Sequence, residues 1–127
     1  NLDALHYYIE GTGDRSLRPN LERGLRFYRD NFFEEDGAPR YYHNSRYPID
    51  SQCISQSIDT LSKMGYIDAD AIDLAEKVVR WALDHFYDPS GFFHYRHYKR
   101  AQTRTPMLHW TQATMFKGLS CALTMPT

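Results

Sequence analysis

Two stretches of this chain concentrate side chains capable of chemistry. The first, residues 36–50, holds Arg40, Tyr41, Tyr42, His43, Arg46, Tyr47 and Asp50. The second, residues 92–100, reads Phe92, Phe93, His94, Tyr95, Arg96, His97, Tyr98, Lys99 and Arg100. Every member of that second run is aromatic, histidine or cationic. Arginine offers forked donors that fit a carboxylate, sulfate or phosphate. Tyrosine and phenylalanine faces stack on the apolar faces of sugar rings, and phenol hydroxyls reach sugar oxygens. A groove for an acidic carbohydrate follows, with Arg40, Arg46, Tyr47, Tyr95, Arg96 and Trp110 as candidate binding residues. Tyr and Arg also enrich the hot spots of protein–protein contacts, so a glycan- or protein-binding module without catalysis is the alternative.

Proton transfer needs ionisable groups on the same rim. Asp50 and His109 lie near the starts of two expected helices, where a carboxylate and an imidazole could exchange protons with a bound sugar. Dipole complementarity for Asp50 and a capping or core hydrogen bond for His109 are the plainer roles. Tyr41, Tyr42 or Tyr47 can act as acid or base where a neighbouring arginine stabilises the phenolate. The candidate catalytic set is Tyr41, Tyr42, Asp50 and His109. His94 and His97 stand three apart, but a metal would need a third ligand from Asp88, Asp50 or His109. No metal and no cofactor are expected. Cys53 and Cys121 form no disulfide framework and no zinc spacing; as inert thiols they suit a reducing compartment, and a cytoplasmic location is expected.

These residues must be carried by helices. Residues 1–9 look like the end of a helix stopped by Gly11 and Gly13. Leu21, Leu25, Tyr28 and Phe32 share one helical face, which predicts a helix over 20–33. Ile54, Ile58, Leu61 and Met64 predict a second over 49–64, opened by Pro48 and capped by Gly65. Ile72, Ala75, Val79, Ala82 and Phe86 predict a third over 70–86, with Asp70 as its N-cap. Pro106 opens a fourth over 107–123, whose Met115, Phe116, Leu119 and Leu123 spread beyond one stripe and predict deep burial. No stretch reads as a strand. The expected class is all-α, in one domain spanning 1–127.

With 127 residues, 42% hydrophobic and 24% charged, the chain can bury a core and is not disordered. Fifteen Lys and Arg against sixteen Asp and Glu leave a net charge of −1, without the basic footprint of a nucleic-acid binder. No apolar run is long enough to span a membrane, and none is expected as a partner.

The chain also repeats itself. Arg26, Phe32, Gly37 and Tyr41 recur 54 positions later as Arg80, Phe86, Gly91 and Tyr95. Pro48, Ile58, Leu61 and Ser62 recur 58 positions later as Pro106, Phe116, Leu119 and Ser120. Each unit reads as helix, long aromatic loop and Pro-started helix. That alternation resembles the six-hairpin α/α toroid. The strings from Tyr41 to Asp50 and from Thr105 to Trp110 resemble bacterial proteins associated with polysaccharide synthesis and, more faintly, the C-terminal α/α domain of glucuronyl C5-epimerases. The resemblance implies a sugar held at the inner-helix rim, and makes Tyr41, Tyr42 and Asp50 the positions that match catalytic ones. On this reading the chain is about two hairpins and a remnant of a larger toroid acting on an acidic polysaccharide or oligosaccharide by epimerisation, elimination or hydrolysis. It would associate with itself or with the rest of its parent protein through apolar flanks left bare on the last helix.

Overall fold

A computed structural model describes residues 1–125 of the chain. Five α-helices appear close to where the apolar faces put them: α1 Leu2–Thr12, α2 Arg18–Asn31, α3 Ser51–Met64, α4 Asp70–His85 and α5 Thr114–Ala122. A π-helical segment, Leu108–Ala113, leads into α5. Gly13 closes α1 in the left-handed conformation, φ 72°, and its N–H donates to the Ile9 carbonyl. Leu21 and Leu25 of α2 are fully buried, as are Ile54, Ile58, Leu61 and Met64 of α3. In α4 the buried face is Ala71, Ala75, Val78 and Ala82, turned slightly from the predicted stripe. Asp70 does not cap α4; its own N–H donates to the Asp68 carboxylate.

The all-α class is overturned. Beside the helices stand five two-residue strands: β1 Ile49–Asp50, β2 Tyr87–Asp88, β3 Phe92–Phe93, β4 Arg96–His97 and β5 Gln102–Thr103. They form a three-stranded antiparallel sheet in the order β1-β4-β5 and a two-stranded ribbon of β2 with β3. Ile49 pairs with His97 and Asp50 with Arg96. The physical reason is backbone accounting: the loops fold back over the core, and their buried N–H and C=O groups must be paired. The predicted arrangement of side-by-side helix hairpins within an α/α toroid is corrected with it. α3 is central, packed on α5 and on α4, while α1 lies against α2. Pro48 sits outside α3, which begins after the extended Asp50.

α3 and α5 run in the same direction. Ser51 donates to Thr111 at 3.1 Å, the Ser55 hydroxyl to the Thr114 carbonyl, and Lys117 to Asp59 at 2.8 Å, in rising order along both helices. Their approach is close enough that a Cβ on Gly118 would come within 2.7 Å of the Ser55 carbonyl oxygen. The two helix starts therefore share one end of the molecule, where the loops gather.

The two long loops open with the same backbone pattern, 54 residues apart. The Arg40 N–H donates to the Phe32 carbonyl, and the His94 N–H to the Phe86 carbonyl, both at 2.8 Å. Phe33 bridges Pro39 as Tyr87 pairs with Phe93. Gly37 and Gly91 both take φ 94°, a conformation that a side chain disfavours.

The last helix is less buried than predicted. Met115 is enclosed, but Phe116 is 76% and Leu123 89% exposed. A single close seam with α3, centred on Gly118, covers one face only. Among the described residues no helix is long and apolar enough to cross a membrane.

Candidate functional site

Asp50 and Arg96 form the node that holds the loops to the helix start. Asp50 caps α3, its Oδ1 accepting the Gln52 N–H at 2.7 Å, while its Oδ2 accepts Arg96 Nε at 2.7 Å. The aspartate is 1% exposed, and its partner raises the guanidinium further above its ordinary range against the opposing effect of burial. Both carboxylate oxygens are thus engaged. The Arg96 guanidinium also lies over Tyr95 at 5.0 Å and Tyr41 at 5.8 Å. Four of the predicted residues, Tyr41, Asp50, Tyr95 and Arg96, therefore come together, with the charged pair as structural anchor.

The others distribute around this node. Arg40 donates to Glu34 at 2.9 Å and to the His43 carbonyl at 2.9 Å, and with Tyr41 it borders a hollow of about 440 Å³. Tyr42 is exposed and meets Tyr41 edge-on at 4.8 Å. Arg46 donates to Asp36 at 3.1 Å and lies over the Tyr47 ring. Burial would raise the Asp36 carboxyl, but the Ala38 N–H, Arg46 and Trp81 outweigh it and hold the group below its ordinary value. His109 and Trp110 sit exposed on the π-helical segment, outside the cavities that the other candidates line.

Arg46 and Tyr47 instead face a larger cavity, about 630 Å³. Its remaining wall is Ile49 from β1, Trp81 and His85 from α4, His97 from β4, Tyr98, Lys99, Arg100 and Ala101 from the turn that joins β4 to β5, and Gln102 of β5. Lys99 and Arg100 are exposed and enter no ion pair among the described residues. Trp81 stacks on His85 at 4.7 Å and donates through Nε1 to Asp36 at 3.2 Å, which fixes the aromatic wall.

Behind this cavity runs a buried row of hydrogen bonds. His94 Nε2 lies 3.1 Å from Asp88 Oδ2, and His94 Nδ1 lies 2.9 Å from His97 Nε2. His94 is 6% and His97 8% exposed. The ionised carboxylate can only accept, so His94 donates from Nε2. Its neutral Nδ1 then accepts, and His97 donates from Nε2, leaving the Nδ1 lone pair of His97 uncommitted. Burial, with the Arg104 guanidinium acting in the same direction, pushes His97 down to about 4. The Ser90 N–H and His94 hold Asp88 below the ordinary carboxylate range. His97 is clamped flat on Phe86, ring centres 3.9 Å apart. The three groups stand in a line rather than around a point, and among the described residues no three His, Cys, Asp or Glu converge on a metal position.

Sequence reasoning named Asp88, His94 and His97 only as conceivable metal ligands, and it missed Trp81, His85, Tyr98, Lys99 and Arg100 as one wall. A signal was present: Glu34, Arg40 and His43 fall on Asp88, His94 and His97 at the 54-residue offset. Cys53 is inert in this setting, because burial pushes its thiol up to about 12. Comparison with family models, with curated proteins and with solved structures finds no match to this chain.

Proposed function

We propose that this protein binds an acidic polysaccharide or oligosaccharide at the loop end of the molecule, as a carbohydrate-active enzyme of epimerase, lyase or hydrolase type. The observation that carries the reading is the cavity of about 630 Å³ in which Arg46, Lys99 and Arg100 face the same space as Tyr47, Tyr98 and Trp81. Lys99 and Arg100 have no carboxylate partner among the described residues and favour an anion, and flat rings favour the apolar face of a pyranose. The likeness of residues 41–50 and 105–110 to proteins of polysaccharide synthesis supports the same substrate class. Isothermal titration with trigalacturonate, and with maltotriose as the neutral control, tests it. The acidic trisaccharide binds and the neutral one does not, and affinity falls as salt rises. Arg46→Ala and Arg100→Ala each weaken binding about three- to tenfold. Equal affinity for the two sugars, or no effect of either substitution, overturns the reading.

A contact module without catalysis is the second reading. Leu108, Trp110, Phe116 and Leu123 are all exposed along the last helical stretch and favour it. Light scattering over a concentration series reads it directly, and a chain that stays monomeric removes self-association.

A further inference from the structure

His97 brings an imidazole acceptor to the basic cavity, beside its donors. His97 Nδ1 has no hydrogen-bond partner among the described residues, and among them no buried side-chain nitrogen or oxygen is left unpaired. The nitrogen therefore reaches open space, and the space that His97 lines is the cavity. Its tautomer is set from behind, by Asp88 acting through His94.

We propose that Asp88, His94 and His97 form a proton relay that takes a proton from a ligand group in the basic cavity and stores the positive charge on His94. This deepens the reading of the cavity as an acidic-saccharide site and rests on it. The transfer balances as follows. A hydroxyl O–H of the bound sugar breaks and an N–H forms at His97 Nδ1. The proton on His97 Nε2 moves along the 2.9 Å hydrogen bond to His94 Nδ1. His94 becomes the imidazolium, its Nε2–H still donating to the Asp88 carboxylate at 3.1 Å. His97 ends neutral, in the opposite tautomer. The sugar alkoxide remains beside Arg46, Lys99 and Arg100.

This division of labour accounts for the character of His97. An imidazolium held there would be buried against Phe86 with the Arg104 guanidinium as a positive neighbour. Passing the charge one residue back puts it beside a carboxylate instead. Asp88 and His94 never touch the ligand; they are positioning residues, and His97 alone is the catalytic one.

The test is nitrogen NMR of the full chain with 15N-labelled histidine. At about pH 8 the relay requires His94 protonated on Nε2 and His97 protonated on Nε2 only. As the pH falls, the first proton taken up by the pair gives an imidazolium signature on His94, while the His97 proton switches to Nδ1. An imidazolium signature appearing first on His97, or His94 bare at Nε2, overturns the proposal. Asp88→Asn, checked for folding by its thermal melt, moves that first uptake down by about one pH unit or more. Unchanged uptake also overturns it. These measurements use the free chain, so their failure is separate from a failure of sugar binding. Trigalacturonate then joins the two: at saturation it shifts the His97 Nδ1 resonance. Binding that leaves this resonance unmoved means the ligand does not reach the relay, and the proposal falls.

Discussion

The two long loops share a backbone and diverge in charge. In the first, Glu34 accepts from Arg40, and Arg40 reaches the carbonyl of His43. In the second, Asp88 accepts from His94, and His94 meets the ring of His97. Each member stands 54 residues from its counterpart. Arginine keeps its proton at any working pH, so the first loop holds a fixed ion pair that orients a turn. Histidine at the same place can lose or pass a proton, and a second histidine extends the row to a cavity. His43 is exposed, whereas His97 is buried against Phe86. One scaffold thus carries a structural clamp and a proton-handling row, and the difference is a single exchange of cation type plus burial of one ring.

The comparison breaks first at His94. His94→Ala removes a buried ring, strands the Nε2–H of His97 and leaves Asp88 without its imidazole. Cavity and lost hydrogen bonds together predict a loss of about 3 kcal/mol in denaturant unfolding. A loss below about 1 kcal/mol would mean that the row contributes no more than a solvent-exposed pair.

A pH profile gives the next largest effect. Unfolded, His97 takes up a proton near 6.5; folded, it resists until about 4. Between those values the unfolded chain binds more protons, so stability falls as the pH falls through the window. The expected decline between about pH 7 and about pH 5 is about 2 kcal/mol, from thermal or denaturant unfolding. Below that window the depressed carboxyls of Asp88 and Asp59 add to the loss, since their stabilisation disappears as they protonate. His97→Gln flattens the upper part of the curve and leaves the acid part. A profile that stays steep in His97→Gln assigns the dependence to another group.

How much of this was legible in the sequence depends on the length scale of the signal. The faces Leu21 to Phe32 and Ile54 to Met64 repeat over several turns, and their helices stand within two residues of prediction at both ends. Two-residue strands carry no period at all, so neither ribbon could be seen, and the all-α reading failed there. The burial of α5 was overestimated because its apolar residues face two ways and only the Met115 and Gly118 side meets α3. The sequence singles out Asp50 as a catalytic candidate and Arg96 as a binding one, but chemistry-bearing types alone could not show that both oxygens of Asp50 are taken. The row behind the cavity needs three residues from two strands and a turn, and only the fold brings their nitrogens into line.

Glycines sharpen the comparison at the level of backbone. Gly37 and Gly91 share φ 94°, and any side chain there is strained. A Cβ at Gly91 meets nothing within 4 Å, whereas one at Gly37 comes to 3.0 Å from the Lys77 carbonyl oxygen. Gly91→Ala should therefore cost about 1 kcal/mol, the conformational term alone. Gly37→Ala should cost about 2 kcal/mol, because α4 must also give way. Equal losses would mean that the first loop moves freely off α4.

The smallest effect belongs to the counterpart of His94. Arg40 is partly exposed, with its carboxylate partner Glu34 similarly placed. Arg40→Ala removes one ion pair and one bond to the His43 carbonyl, and water can solvate both groups left behind. Partly exposed pairs of this kind contribute about 1 kcal/mol or less, and salt screens them. The expected loss is therefore about a third of that for His94→Ala, shrinking further in high salt. The pH profile of Arg40→Ala should keep the shape of the parent, because no group of the second loop has been touched. A loss as large as that of His94→Ala would make the first loop equally integral to the core. The division between a solvated clamp and a buried proton row would then no longer hold.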